Sequence, residues 1–216
     1  MAYMNFLKKL QCNDSQFNLC CAFFFTLINA LFIHRSWQLI APDSLRSWLF
    51  AASVPVVLFC AWLTIFSVVN LPWLRKPVLV FLLIGCAVSN YFMFTYGAVI
   101  DKNMMVNVFE TNSQQAKTFV TPQLVSWLAL LGIIPALLLS LVKVQPARWR
   151  HTVLTRLVSI LAGLLVIILV ASVFYKDYTS LFRSNKSVMK MVTPANYISA
   201  ISRYGKKRWF SDAHKD

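Results

Sequence analysis

The chain has 216 residues, of which 58% are hydrophobic and only 13% are charged, and its formal net charge is +14. In soluble globular domains roughly a quarter of the residues are charged, so this composition excludes an ordinary soluble domain. It favours an integral membrane protein with its basic residues outside the lipid core.

Five long runs without any charged residue determine the predicted architecture. They cover residues 15–34, 47–74, 77–100, 118–142 and 157–175. About 20 apolar residues cross a bilayer as a helix, and the backbone must pair internally in hydrocarbon. We therefore predict an all-α integral membrane fold in which a domain of residues 1–175 contains five transmembrane helices, at about residues 17–34, 47–70, 77–99, 122–143 and 156–175.

Local signals refine these spans in chain order. The first run follows two lysines, as in a signal peptide, but no small-residue cleavage site follows it, so we predict an uncleaved first helix. Asp43 or Ser44 is expected to cap the second span. Pro55 and Pro135 lie inside spans 2 and 4 and are expected to kink them.

The connection between spans 3 and 4 contains a predicted amphipathic helix at about residues 103–116. At helical spacing one face is apolar, with Met104, Met105, Val108 and Phe109. Asn107, Thr111 and Gln115 are four residues apart and form a polar ladder at the border of that face. The ladder is either a binding site for a lipid head group or the ordinary polar surface of a helix lying on the bilayer.

Residues 176–216 form a basic segment with interspersed aromatic and aliphatic residues. Ile198, Ile201 and Tyr204 recur at helical spacing, and three consecutive cations follow at 206–208. Such a segment is typical of a chain lying along an anionic lipid surface, so we predict an interfacial tail.

Charge placement leaves the orientation open at this point. If the N-terminus is inside, the short inside segments hold eight Lys or Arg residues and the outside loops hold four. The four cations that follow the last span, Lys176, Arg183, Lys186 and Lys190, equalise the two counts.

The sequence shows few signs of catalysis or transport. No Ser-His-Asp arrangement is apparent, no two histidines are spaced to share a metal, and the five cysteines do not form a disulfide framework. All seven acidic residues lie outside the charge-free runs, which argues against a proton- or ion-coupled transporter. We expect no metal site, no cofactor in this chain and no nucleic-acid partner.

Two stretches resemble a known family. "YFMFTYGAVIDKNMMVNVFETN" and "FYKDYTSLFRSNKSVMKMVTPAN", with the motifs Tyr96-Gly97 and Phe182-Arg183, are similar to the membrane half of the phosphoethanolamine transferases that modify lipid A. This family includes enzymes of polymyxin resistance. The resemblance covers roughly residues 43–199.

The resemblance implies a five-helix domain of the bacterial inner membrane, with the N-terminus cytoplasmic and the C-terminus periplasmic. It implies that amphipathic helix 103–116 is periplasmic and that Asn107, Thr111 and Gln115 meet the head group of phosphatidylethanolamine, the donor for lipid A. Gln115 departs from the glutamate that is usual in the family.

In the family, zinc and a threonine nucleophile belong to a periplasmic catalytic domain, which we expect to be absent from these 216 residues. Residues 176–216 then resemble the start of the linker to it, and the chain alone is expected to be inactive. The main alternative is a non-enzymatic inner-membrane protein that associates with other membrane helices, and a small transporter is a weaker one.

Overall fold

The computed structural model describes residues 11–69, 73–97, 121–145 and 149–212, and for residues 204–212 it describes the backbone alone. Within these ranges the chain is helical except for short connections and two strands of two residues, β1 (Gln11–Cys12) and β2 (Lys143–Val144), which pair in parallel. The predicted all-α class is confirmed.

Four helical segments of the described chain are long and apolar enough to cross a membrane. They are α3 (Leu45–Val69), α4 (Arg75–Tyr96), the segment Pro122–Leu141 and α7 (Trp149–Val173). A fifth span is present if α1 (Asp14–Ile28) and α2 (Ala30–Ile40), which meet at an angle of 57°, cross together. The structure thus contains four to five candidate spans where the sequence predicts five.

The first span was predicted as one helix, but it is broken at Asn29. The Asn29 side-chain amide donates to the carbonyl of Phe25 at 2.7 Å and to the carbonyl of Thr193 at 2.8 Å. Its oxygen accepts from the backbone N–H of Thr193 at 2.8 Å. The buried amide thus offers the backbone an alternative to regular helical pairing, and a distant segment of the chain stabilises the break.

The segment Pro122–Leu141 changes its helix type just before Pro135, where the sequence predicts a kink. It consists of α5 (Pro122–Trp127), a π-helical turn (Leu128–Ile133) and α6 (Ile134–Leu141). Proline lacks the backbone N–H and its ring displaces the carbonyl four residues earlier. The wider turn just before Pro135 accommodates both effects.

Helix α7 begins at Trp149, seven residues before the predicted start of span 5 at residue 156. The difference arises because Arg150 and Arg156 interrupt the apolar run but not the helix. A membrane helix commonly extends into the head-group layer, where cations at its end are favourable.

The core lies between α1, α3 and α4. Phe25 packs on Trp62 and Phe66, with ring centroids 5.8 and 4.9 Å apart, and Leu83 and Cys86 are fully buried beside them. Half of the apolar window of α3 is buried, against 6% of that of α7. Helix α7 is therefore a peripheral helix with most of its surface facing lipid.

Three further helices follow the last span. They are α8 (Tyr175–Ser184), α9 (Lys186–Met189) and α10 (Ala195–Asp212). The sequence predicts an interfacial tail here, yet Thr193, Asn196, Tyr197 and Ala200 are buried against the bundle. Ile198 and Ile201 are 45% and 39% exposed, so only part of the predicted apolar face lies open to the surroundings.

Successive spans run in opposite directions, which gives the bundle two ends. The N-terminal end carries the starts of α1, α4 and α7 together with β1 and β2. The opposite end, called the far end below, carries the end of α2, the start of α3, the end of α4, the start of α5 and the helix α8.

Candidate functional site

The three residues predicted from the sequence to bind a lipid head group lie outside the described part of the chain. Asn107, Thr111 and Gln115, and the whole predicted helix 103–116, fall within residues 98–120. Both neighbours of this segment are at the far end, where the Tyr91 hydroxyl and the Thr121 hydroxyl share a hydrogen bond of 2.7 Å. The assignment of these three residues therefore stays a prediction.

A polar cleft lies at the same far end, between the start of α3 and helix α8. We call it the serine cleft. Its volume is about 320 Å³, and its polar lining is Ser44, Arg46, Ser47, Asp177, Ser180, Ser184 and Asn185. Leu39, Phe50 and Leu181 provide apolar walls. A small site with several hydroxyl groups, one cation and one anion is suited to a compact polar head group.

Local hydrogen bonds explain why the serines converge at the start of α3. The backbone N–H of Ser47 donates to the Ser44 hydroxyl at 3.3 Å, so Ser44, one of the two caps that the sequence offers, caps the helix. The Ser47 hydroxyl in turn donates to the Asp43 carboxylate at 3.1 Å. Capping thus places two hydroxyl groups at the rim of the cleft.

An ion pair connects the two sides of the serine cleft. Arg46 Nη2 donates to Asp177 Oδ2 at 3.1 Å, and the two side chains are 67% and 35% exposed. Exposed pairs of this kind contribute at most about 1 kcal/mol, so the two groups separate easily. A guanidinium group binds phosphate and a carboxylate binds ammonium, so the separated pair matches a zwitterion that carries both charges.

Aromatic packing holds α8 in place. The Tyr178 hydroxyl and the Ser53 hydroxyl share a hydrogen bond of 2.8 Å, and the Phe50 ring meets the Tyr178 ring edge to face at 4.8 Å. Burial raises the pKa of the Tyr178 hydroxyl, and the bond to Ser53 acts in the opposite direction. Tyr178 is thus a neutral anchor that fixes Asp177 beside α3.

The chain after α9 is anchored more deeply. Besides the contact of Thr193 with Asn29, the Asn196 amide donates to the Ser89 hydroxyl at 2.8 Å and the Tyr197 hydroxyl donates to the Leu82 carbonyl at 2.9 Å. The Tyr197 ring lies directly over Gly85, where a Cβ atom would meet it at 2.5 Å. These buried polar contacts fix where α10 begins.

Sequence reasoning missed the pairing of Arg46 with Asp177, as well as the contacts of Thr193 and Tyr197. The paired residues are more than 100 positions apart in the chain, and helical periodicity carries no information at that separation. The sequence feature that could have drawn attention to Asp177 was the family motif around it, "FYKDYTSLFRS".

No group of three or more His, Cys, Asp or Glu side chains that fits a metal ion is found among the described residues. The zinc that the resemblance implies for the catalytic domain therefore has no ligand set among these described residues. The sequence prediction of a chain without cofactor stays a prediction.

Comparison with known proteins agrees with the family resemblance of the sequence. Residues 58–209 match the N-terminal family model described as "Phosphoethanolamine transferase EptA/EptB". The chain is 37% identical over 197 residues to phosphoethanolamine transferase EptA of Escherichia coli K12 and 34% identical over 155 residues to phosphatidylethanolamine transferase Mcr-1 of Escherichia coli. These alignments cover 90% and 71% of this chain, and 36% and 29% of the relatives.

One solved structure is similar throughout the described fold. It is the integral membrane protein lipooligosaccharide phosphoethanolamine transferase A from Neisseria meningitidis, with a TM-score of 0.85 at 30% sequence identity. The similarity covers 92% of this chain and 37% of the solved chain. The chain thus spans about a third of the length of the relatives that it matches.

Proposed function

Because this chain belongs to the phosphoethanolamine transferase EptA/EptB family, we propose that it supplies the membrane domain of such an enzyme and holds the donor lipid there. The donor is phosphatidylethanolamine, and the acceptor of the transferred group is a phosphate of lipid A, a modification associated with polymyxin resistance. The observation that carries the proposal is the family match across residues 58–209, which includes α8 and one side of the serine cleft.

The serine cleft supplies the chemistry for the donor head group. Phosphoethanolamine carries a phosphate and an ammonium group a few ångströms apart, and Arg46 and Asp177 present the complementary charges at the far end. The cleft serines donate to the remaining phosphate oxygens. Because the Arg46–Asp177 pair is exposed, a head group is able to replace it with two charge-assisted contacts.

The proposed head-group site also includes three residues of the connection between spans 3 and 4, namely Asn107, Thr111 and Gln115. Their amides and hydroxyl are assigned to the head group on the same side of the membrane. A glutamate at position 115 would add a charge-assisted bond to the ammonium group where Gln115 offers a neutral one.

The proposed localisation is the bacterial inner membrane, with the N-terminus cytoplasmic and the far end in the periplasm. The short segments on the two sides hold eight Lys and Arg residues each, so charge counts do not decide the orientation, and the proposal rests on family membership. The serine cleft then faces the leaflet from which the donor lipid is taken.

Native mass spectrometry of the purified protein with bound lipid tests the proposal. The wild type is expected to retain phosphatidylethanolamine over phosphatidylcholine with the same acyl chains. Arg46→Gln is expected to reduce that retention about tenfold, since a hydrogen bond to a charged group contributes roughly 1.5–3 kcal/mol. Gln115→Glu is expected to raise retention, and Asn107→Ala with Thr111→Ala to lower it.

Arg35→Gln is the matched control, because Arg35 is an exposed arginine near the same end that does not line the serine cleft. Equal phosphatidylethanolamine retention by the wild type, Arg35→Gln and Arg46→Gln removes the cleft from the proposal. Equal retention by the Asn107, Thr111 and Gln115 variants as well leaves only membrane anchoring or association with other helices.

A further inference from the structure

A second, strongly basic cleft lies at the N-terminal end of the bundle, opposite the serine cleft. We call it the basic cleft. It has a volume of about 850 Å³ and opens between β1, β2 and the starts of α4 and α7. Its charged lining consists of Asp14, Arg75, Lys76, Lys143 and Arg156. Four cations therefore face one carboxylate, a formal excess of three positive charges.

The single carboxylate is already fully engaged with two of the cations. Arg75 Nη2 donates to Asp14 Oδ1 at 2.5 Å. Arg156 donates to Asp14 Oδ2 through Nε at 2.7 Å and to Oδ1 through Nη2 at 2.9 Å. Asp14 is buried, so it has no capacity left to neutralise the lysines at the same cleft.

Donors remain for an additional anion. Arg75 is only 7% exposed, and its Nε atom has no hydrogen-bond partner in the described part of the chain. Lys76 Nζ uses one donor on the Ser140 carbonyl at 2.7 Å, and an ammonium group has three. Lys143 is exposed beside it. The exposed ammonium groups of Lys76 and Lys143 therefore supply the accessible donors for an anion in the cleft.

The remaining walls indicate what kind of anion fits. Val142, Val144 and Val153 line the basic cleft with apolar surface, and Trp149 stands at the start of α7 with 72% of its surface exposed. Tryptophan and lysine at the end of a transmembrane helix mark the boundary between hydrocarbon and head groups. The cleft thus combines donors for phosphate with apolar surface for the adjoining acyl chains.

We propose that the basic cleft binds the head group of an anionic phospholipid, of the phosphatidylglycerol or cardiolipin class. Basic pockets between transmembrane helices are suited to such head groups, since each cation near the surface adds attraction for an anionic lipid. The excess of positive charge disfavours a zwitterionic lipid, so this site differs in ligand from the serine cleft. The proposal requires membrane insertion and does not depend on the transferase proposal.

Native mass spectrometry of the whole chain in detergent tests the site with phosphatidylglycerol and phosphatidylcholine of identical acyl chains. The variant Lys76→Gln with Lys143→Gln removes two cations and leaves the Asp14 cluster intact. It is expected to lower phosphatidylglycerol retention on the order of tenfold. Lys176→Gln with Lys190→Gln, which removes two exposed cations near the far end, is expected to retain it as the wild type does.

Glycerol 3-phosphate at the same concentration as phosphatidylglycerol distinguishes a lipid site from a site for a free anion. Retained phosphatidylglycerol in its presence supports the lipid, whereas complete displacement at a concentration equal to that of the lipid overturns it. Equal loss of phosphatidylglycerol from both double variants also overturns the proposal, since it shows a general charge effect. Thermal unfolding of each variant confirms that the proteins compared are folded.

Discussion

Asp14 is a buried carboxylate at the first turn of α1, and its environment explains much of the N-terminal end. Arg75 and Arg156 bind it from the starts of two other spans, and the Arg75 guanidinium also lies over the Phe17 ring at 5.2 Å. One side chain therefore connects spans 1, 3 and 5. Removing it leaves two guanidinium groups without their anion in a buried place.

Asp14→Asn is accordingly expected to destabilise the protein by about 3–5 kcal/mol, the range found when one partner of a buried ion pair is removed. Thermal unfolding in detergent, followed by circular dichroism, measures the loss. Asp177→Asn is the matched control, since it makes the same change at an exposed pair and is expected to cost at most about 1 kcal/mol. Similar losses for both variants would contradict a special role for the Asp14 cluster.

Single residues were the least predictable part of the molecule. The sequence marks Asp14 as an acid outside the charge-free runs, but it does not show that two arginines at separations of 61 and 142 residues reach it. Asn29 reads as one polar residue in an apolar run, although it breaks the helix. The candidate residues Asn107, Thr111 and Gln115 came from the family resemblance together with local spacing, and they lie outside the described residues.

Helices were predictable wherever an apolar run is long enough to cross the hydrocarbon core of a bilayer. Spans 2 and 3 follow their runs closely, and α3 continues through Pro55 from Leu45 to Val69. The kink expected at Pro55 stays a prediction. The boundaries of spans 1 and 5 differ from the predicted ones. The contact of Asn29 with Thr193 breaks span 1, and the helix of span 5 begins earlier because it includes Arg150 and Arg156. The burial of the start of α10 was not predictable, since its anchors Asn196 and Tyr197 bind partners on α4.

Close packing of α7 on α3 depends on Gly163. A Cβ atom there would lie 2.6 Å from the Thr64 hydroxyl and 3.2 Å from the Cys60 carbonyl. Gly163→Leu is expected to push α7 away from α3 and to cost about 1–3 kcal/mol, as overpacking does in close-packed interiors. Thermal unfolding in detergent measures this cost.

Ala162→Leu is the control for Gly163→Leu, because it adds the same side chain one residue earlier on an exposed position of α7. It is expected to leave the unfolding midpoint nearly unchanged. If both variants unfold alike, the contact of α7 with α3 does not need a glycine.

The start of α10 depends in a similar way on Gly85. Gly85→Ala would place a methyl group against the Tyr197 ring, so the first turn of α10 is expected to move and its amides at 195–203 to exchange hydrogen faster. Hydrogen exchange with mass spectrometry measures the effect. In a Tyr197→Ala background the same change at Gly85 is expected to add nothing, because the ring is gone. An equal added effect in both backgrounds would show that Gly85 acts elsewhere.

At the scale of the whole molecule, the two ends of the bundle carry different chemistry. The far end presents balanced charges and hydroxyl groups in the serine cleft, and the N-terminal end presents an excess of cations in the basic cleft. This division agrees with a proposed donor site for a zwitterionic lipid on one side and a proposed anionic lipid site on the other.

The proposed orientation predicts the result of reporter fusions along the chain. Fusions after Lys117 and after Lys190 are expected to report the periplasm, because both positions follow an odd number of spans. A fusion after Gln145, beside β2 at the N-terminal end, is expected to report the cytoplasm. Replacing Lys76 and Lys143 by glutamine removes two of the eight inside cations, which leaves an excess on the other side, and is expected to produce a mixed signal after Gln145. A cytoplasmic signal after Lys190 in the wild type would contradict the orientation, and it would place the serine cleft on the side of the membrane away from the proposed acceptor.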